Sequence, residues 1–419
     1  MYVYIHTMNI GLIGCGIVGG GVVSIIKKMS TIKITKICVR DINKQRGLPE
    51  GITLTTDPYD IINDNTIGLI IEVMGGVCLA KDVIFDAIKS GKHVVTANKA
   101  LVSLYLQDIE VLVDKYGVSF GYEATVCGGI PIIHTLQNDY IADDISQISG
   151  IVNGTTNFIL STMEANPSTT FMSALEEAQS LGYAEADPSA DIEGLDARSK
   201  INILARLGIG KYIDDRDIHP IGIGRVTPDD FEQASHLGYT IKMIGVVRLS
   251  SGDSVEVMVS PMLVHKQHIF SSVKGATNIV EIVSTNLNST ILIGEGAGSL
   301  PTANSIVSDI LLIVEEKSHT PPFGIKDRSH LVLRDNYESC FYLRLSLRYD
   351  KEGIDTLVEV FDNSNIPIVT IRHLPVNDIS SYHFVVVTGR TCTEQIKNIC
   401  DVLVRNNIVY GVPFSLPIF

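Results

Sequence analysis

No apolar run in this chain reaches the ~20 residues that a membrane-spanning helix requires. The first residues, Met1–Thr7, have neither a basic stretch nor an apolar core, which excludes a signal peptide. Met8 stands directly before the first strand, so Met1–Thr7 reads as a loose extension or a mis-called start. Positive charge is short: 33 Lys and Arg against 47 Asp and Glu leave a net charge of −14. That balance argues against nucleic acid or an anionic membrane as partner. No C-x-x-C pair occurs among the seven cysteines (Cys15, Cys38, Cys78, Cys127, Cys340, Cys392, Cys400), and the histidines show no metal-ligand spacing. Buried thiols in a reducing compartment fit better than a disulfide framework or a zinc site. What remains is a cytoplasmic, soluble enzyme; 419 residues suggest two or three domains, and 45% hydrophobic content can fill several cores.

The N-terminal third carries the first chemical signal. Asn9–Ile13 is a short apolar run that reads as a strand; Gly14-Cys15-Gly16-Ile17-Val18-Gly19 follows, and 20–29 reads as a helix. Strand, G-x-G-x-x-G, helix is the context of a dinucleotide fingerprint. Gly14 allows the tight turn, Gly16 lets the backbone approach a pyrophosphate, and Gly19 lets helix and strand pack closely. The pyrophosphate would rest on the N–H groups of Ile17 and Val18 at the helix N-terminus. A second strand over 34–39 ends in Arg40-Asp41. An acidic residue there takes ribose hydroxyls of NAD, and an arginine accommodates the 2′-phosphate of NADP. Arg40 comes first, with Lys44 and Arg46 after it, so the charge favours NADP, with NAD as the alternative.

Strands and helices then alternate: 66–73 closed by Met74-Gly75-Gly76, a helix over 81–90 ended by Gly91, and a strand over 93–96 followed by Ala97-Asn98-Lys99. Such alternation implies a parallel, doubly wound sheet whose ligands bind beyond the carboxyl ends of the strands. Gly75, Gly76, Thr96, Asn98 and Lys99 therefore fall at the ligand edge. Glu123, before the glycine-bearing turn Val126-Cys127-Gly128-Gly129-Ile130, could offer a carboxylate and carbonyls to a hard cation, or be an ordinary strand-to-helix turn. Val152-Asn153-Gly154-Thr155-Thr156-Asn157 is either a loop for a polar substrate or a capped turn.

Acidic residues gather over 182–200. Asp196 and Lys200 lie four apart in a run, 192–207, that reads as one helix, so their charges can meet. On spacing alone this is a surface pair contributing ~0.3–0.5 kcal/mol. Further on, 315–336 is polar and contains Pro321-Pro322, as a linker would. Beyond it, a strand over 340–347, a helix over 353–362, strands over 366–373 and 383–387, a helix over 393–405 and a last strand near Ile408 suit a ferredoxin-like sandwich.

Taken in order, Gly14–Gly19, Thr96-Ala97-Asn98-Lys99, Glu123–Pro131, Asn153–Asn157, Gly182-Tyr183-Ala184-Glu185-Ala186-Asp187-Pro188, Asp191–Lys200, and Gly296-Ala297-Gly298 with Pro301-Thr302-Ala303 resemble the homoserine dehydrogenase family over about 8–320. The resemblance implies NAD(P)-dependent interconversion of L-aspartate 4-semialdehyde and L-homoserine. It implies Lys200 as the acid–base residue with Asp196 its partner and Lys99 a second lysine at the reaction centre. Glu185 would hold the substrate ammonium, with Asp191, Gly154 and Thr155 as further substrate contacts, and Gly298 would join the cofactor site. Glu123, with the backbone of Val126, Gly128 and Ile130, matches a structural sodium or potassium site. Two departures stand out: Cys127 replaces a small glycine or alanine, and Glu295 replaces a proline. The tail resembles an ACT domain, an amino-acid-sensing module, although its loop Asp350-Lys351-Glu352-Gly353 lacks the usual proline.

The expected architecture is thus α/β: a Rossmann-type domain over 1–135, with the chain returning at about 296–320; an α+β catalytic and dimerisation domain over 136–295; a linker over 321–336; and an ACT-like domain over 337–419. A homodimer or higher homo-oligomer is expected, with an amino-acid effector as a candidate partner of the tail.

Overall fold

A computed structural model of the protein describes residues 8–321, 323–324, 326–334, 336–347, 351–374 and 382–419. The expectations for Met1–Thr7, for Pro322 of the linker and for Asp350 of the tail loop lie outside the described residues. The chain forms two compact units. The first comprises Met1–Gly154, Asp196–Arg216 and Thr277–Leu331; the second comprises Thr155–Leu195, Asp217–Ala276 and Val332–Phe419.

In the first unit, apolar runs form a six-stranded parallel sheet: β1 (Met8–Ile13), β2 (Ile32–Cys38), β3 (Thr53–Thr55), β4 (Leu69–Glu72), β5 (His93–Thr96) and β6 (Phe120–Gly121). Their order is β3-β2-β1-β4-β5-β6. The winding reverses between β1 and β4, so the turns after these two strands lie side by side and leave a crevice. Ile10, Leu12, Leu69 and Ile71 are completely buried, as strands covered on both faces require.

The helix after the glycine motif runs over Ile17–Ile26, beginning three residues before the spacing suggested. Gly19 and Gly21 in it are packing positions, while a Cβ on Gly20 would meet nothing within 4 Å. A Cβ on Gly21 would lie 2.6 Å from the Ser299 carbonyl oxygen. Through that gap the Ser299–Val314 helix approaches, bringing Ala303, Ile306, Val307 and Ile310 into one core with Ile10, Leu12, Val22 and Ile37. The same unit carries an antiparallel sheet of Ile145–Ile151, Thr277–Ser284 and Asn288–Glu295, with Thr277–Ser284 central.

The second unit contains the long hairpin Tyr239–Ser250 with Ser254–His265, paired along its whole length. Its C-terminal portion runs strand Glu338–Leu347, helix Lys351–Asn363, strands Ile368–Leu374 and Tyr382–Thr388, helix Thr393–Arg405 and strand Val409–Ile418. The four strands are antiparallel, in the order fourth, first, third, second, which is a ferredoxin-like sandwich. Val332–Arg334, from the segment read as linker, pairs in parallel with Ser254–Glu256.

One helix differs from its sequence reading. The run 192–207 is not continuous: a short helix, Ser189–Ile192, ends before Gly194, and a new helix spans Leu195–Leu204. Gly194 has φ +83°, and a Cβ there would sit 2.7 Å from Met243 Cε. The break therefore depends on a left-handed conformation that favours glycine.

Candidate active site

The cofactor crevice, about 760 Å³ in volume, opens in the first unit between the turns after β1 and β4 and the end of β2. Gly14 has φ +99°, and a Cβ on it would lie 2.5 Å from Val73 O. A Cβ on Gly19 would strike Gly14 O at 2.3 Å, while one on Gly16 would meet nothing within 4 Å. Two glycines thus close the turn, and the third leaves open space over the N-terminus of the Ile17–Ile26 helix. Ile17 there is 79% exposed. Arg40, Lys44 and Arg46 line the far wall, with Asp41 among them, and Gly75 and Gly76 line the near one. A groove with glycine-bared amides at one end and three cations at the other fits a phosphorylated dinucleotide.

Thr96 and Asn98 stand behind this wall. Thr96 is buried and donates its hydroxyl to Glu72 Oε2 at 2.7 Å. Glu72 Oε1 accepts from Met74 N at 2.8 Å, and burial raises its pKa against these bonds. Asn98 donates to Gly76 O at 2.6 Å and caps the Lys99–Tyr116 helix by accepting from Leu101 N. The two side chains shape the Met74-Gly75-Gly76 turn. Glu72 went unnoticed in the sequence, though a carboxylate ending a wholly apolar strand was a signal. Gly298, at φ +125°, precedes the Ser299–Val314 helix, and Ser299 Oγ donates to Ile17 O at 2.8 Å.

Asp196 is the centre of the second cluster. Lys200 Nζ lies 2.7 Å from its Oδ2 and Lys99 Nζ 2.9 Å from its Oδ1. Asn153 Nδ2 donates to Oδ2 at 2.8 Å, and Lys200 also donates to Val152 O at 2.7 Å. Asp196 and Lys200 are buried; the Lys99 side chain is 43% exposed. Burial alone would raise the Asp196 pKa, but the ammonium groups of Lys200 and Lys99, with the Asn153 amide, hold it well below the carboxylate range. The pair that spacing alone would place on the surface is therefore an internal one. Asn153 was noticed only as part of a polar loop.

Glu123 is 1% exposed. Its carboxylate accepts from Ile133 N and His134 N at the start of the Ile132–Asp139 helix and lies 3.3 Å from His134 Nδ1. His134 Nε2 meets Asp309 Oδ1 at 2.7 Å, and Asp309 Oδ2 accepts from Glu123 N. Burial pushes the Glu123 carboxyl up to about 7, His134 opposing and Asp309 adding to the rise. A buried carboxylate so raised is one that a nearby cation would stabilise. After it, Cys127 and Gly128 both have positive φ, 53° and 43°, and Gly128 O accepts from Ser305 Oγ. Cys127 thus occupies a left-handed position suited to glycine. Among the described residues no group of three or more His, Cys, Asp or Glu is arranged to hold a metal.

The remaining residues belong to the second unit, except Gly154, which begins the Gly154–Ala165 helix at the unit boundary. Thr155 Oγ1 donates to Tyr183 O at 2.7 Å, and the Phe158 and Tyr183 rings lie 4.8 Å apart. Glu185 is exposed, and its carbonyl accepts from Gln179 Nε2 at 3.0 Å. Asp191 lies in the Ser189–Ile192 helix.

Comparison with known proteins agrees with this geometry. The model of a homoserine dehydrogenase NAD-binding domain matches 14–123, and that of homoserine dehydrogenase matches 131–311. The chain is 36% identical over 423 aligned positions to a homoserine dehydrogenase of Bacillus subtilis, covering 97% of this chain and 96% of that one. A crystal structure of a homoserine dehydrogenase from Thiobacillus denitrificans superposes with TM-score 0.91 at 31% identity, covering 99% and 98% of the two chains. A hyperthermophilic archaeal homoserine dehydrogenase in complex with NADPH gives TM-score 0.63 at 25% identity, covering 74% of this chain and 98% of that one. No helix among the described residues is long and apolar enough to cross a membrane. With a dinucleotide crevice, a Lys–Asp–Lys cluster around the buried Asp196 carboxylate and relatives that span nearly its whole length, the chain belongs to the homoserine dehydrogenase family, NAD(P)-dependent oxidoreductases that interconvert L-aspartate 4-semialdehyde and L-homoserine.

Proposed function

We propose that Lys200 is the acid–base residue of this reaction, with Asp196 fixing its orientation and Lys99 lining the same centre. The observation that carries the reading is the single buried carboxylate of Asp196, held on one oxygen by Lys200 and on the other by Lys99. The bound nicotinamide cofactor supplies the hydride in reduction or accepts it in oxidation. In reduction, Lys200 Nζ delivers a proton to the aldehyde oxygen as the alkoxide forms; in oxidation, it takes the hydroxyl proton of homoserine. Val152 O and Asp196 keep Nζ aimed. Glu185 pairs with the substrate ammonium, and Asp191, Gly154 and Thr155 complete the substrate contacts.

Gly14, Gly16, Ile17, Val18 and Gly19 bind the pyrophosphate, and Gly75, Gly76, Thr96, Asn98 and Gly298 complete the cofactor site, Thr96 and Asn98 from behind its wall. Arg40 gives NADP the preference over NAD; its support is the cluster with Lys44 and Arg46 in the crevice wall. Glu123, with the backbone of Val126, Gly128 and Ile130, is the site of a structural sodium or potassium ion, supported by the burial that raises Glu123. An ion there is structural and takes no part in the chemistry. The domains are a Rossmann domain over 1–135 with its return at 296–320, a catalytic and dimerisation domain over 136–295, a linker over 321–336 whose Val332–Arg334 adds a strand beside Ser254–Glu256, and an ACT-like domain over 337–419 that takes an amino-acid effector. The protein works as a cytoplasmic homodimer or larger homo-oligomer.

The test is the initial rate of L-homoserine oxidation with NADP⁺ and NAD⁺, wild type beside Lys200→Ala. Homoserine-dependent reduced cofactor that vanishes in the variant supports the assignment. Undiminished turnover by Lys200→Ala would remove Lys200 from the centre.

A further inference from the structure

Lys242 is fully buried, and the chemistry above does not use it. It lies on the Tyr239–Ser250 strand of the second unit, opposite Met262 of the paired strand. Its Nζ donates to Val273 O at 2.7 Å, Asn157 Oδ1 at 3.2 Å and Ser161 Oγ at 3.4 Å. All three acceptors are neutral. A buried ammonium without a carboxylate at hand is costly, and a lysine kept there has work beyond filling space. Asn157 and Ser161 are one turn apart on the Gly154–Ala165 helix, so Lys242 grips one face of it. A different face of the same helix carries Thr155 and Phe158, which hold Tyr183 by a hydrogen bond and by ring contact. Tyr183 lies two residues before Glu185.

We propose that Lys242 is a positioning residue for the substrate-binding segment Gly182–Pro188, acting through the Gly154–Ala165 helix that it clamps at Asn157 and Ser161. The inference rests on the reading that Glu185 holds the substrate ammonium. Protonation of Lys242 then governs substrate affinity, because the neutral amine has fewer N–H donors than the ammonium. Burial pushes its pKa down to about 8, the Lys274 ammonium adding to the shift and Glu164 opposing it. Those two charges pair with each other at 2.5 Å, Glu164 standing on the same helix.

Steady-state kinetics of Lys242→Met, Lys242→Arg and Glu185→Gln test this, with KM for L-homoserine and kcat measured from about pH 6.5 to 9.5 around the shifted lysine. Lys242→Met should raise KM about tenfold at neutral pH, the size expected for losing hydrogen bonds from a charged donor, with kcat moving far less. Its melting temperature is measured beside the kinetics, since methionine removes a buried charge but leaves Val273 O, Asn157 Oδ1 and Ser161 Oγ without this donor. In the wild type, KM should rise above pH 8, and Lys242→Arg, ionised throughout, should lack that rise. The amine of homoserine titrates alike for every variant, so the wild-type to Lys242→Arg ratio is the readout. Should Lys242→Met fail to fold, that ratio decides; should Lys242→Arg fail, the neutral-pH KM of Lys242→Met decides. A raised KM in Glu185→Gln with wild-type KM profiles in the Lys242 variants overturns the inference alone. An unchanged KM in Glu185→Gln overturns the reading beneath it as well.

Discussion

Lys200 Nζ stands 2.7 Å from Oδ2 of Asp196, one helical turn earlier, with both side chains more than nine-tenths buried. A carboxylate so placed compensates two ammonium groups, and its loss leaves both without their anion. Asp196→Asn should therefore lower kcat by about 10²–10⁴-fold, as for loss of a general acid–base, while dinucleotide affinity is kept. It should also destabilise the fold by about 3–5 kcal/mol, the range for breaking a buried ion pair. Urea unfolding beside single-turnover kinetics measures both, and a variant with wild-type kcat would exclude the pair from catalysis.

The proposed preference for NADP is tested at Arg40. Arg40→Ala should raise KM for NADP⁺ by about tenfold or more, the value of a charge-assisted hydrogen bond to phosphate, and change KM for NAD⁺ little. Equal losses with both cofactors would mean that Arg40 does not read the 2′-phosphate.

The pH dependence of stability should show Glu123. Its folded pKa, about 7, lies above the unfolded value near 4.5. Stability from this group is fully present below pH 4.5 and is lost as pH rises through 7. The fall amounts to about 3 kcal/mol at most, taking 1.36 kcal/mol per unit. His134, held above its ordinary pKa by Asp309 and Glu123 against the lowering effect of burial, loses stability with rising pH in the same sense. Glu123→Gln should remove the larger part of the slope between pH 5 and 7. Sodium or potassium should stabilise the wild type more at pH 8 than at pH 5, compared with tetramethylammonium at equal ionic strength. Identical melting temperatures in the three salts at pH 8 would argue against a cation there.

Gly194→Ala tests the helix break. With φ at +83° and Met243 Cε 2.7 Å from the new Cβ, the variant should lose about 1–3 kcal/mol in denaturant unfolding. A loss below 0.5 kcal/mol, the ordinary surface value, would show that the turn tolerates a side chain.

Local patterns in the sequence determined a good deal. The strand, glycine turn and helix over Met8–Ile26 follow from apolar runs and from glycines at fixed offsets, and both are properties of neighbouring residues. The helix Thr393–Arg405 and the strand His93–Thr96 have the bounds that periodicity indicated. The order of elements in the tail is likewise legible, because hydrophobic period distinguishes strand from helix. The Asp196–Lys200 contact follows from a spacing of four.

Burial and long-range company were decided by the tertiary structure. Spacing alone cannot distinguish a solvated ion pair from one sealed inside, yet that difference separates a pair contributing a few tenths of a kcal/mol from one whose breaking costs several. Lys99 reaches Asp196 only because the fold returns the chain to it. Glu72 with Thr96, Glu123 with His134 and Asp309, and Lys242 with Asn157 are all pairings of distant segments. Each depends on how far two backbones approach and on how much water is left between them, quantities that no local pattern of residues encodes.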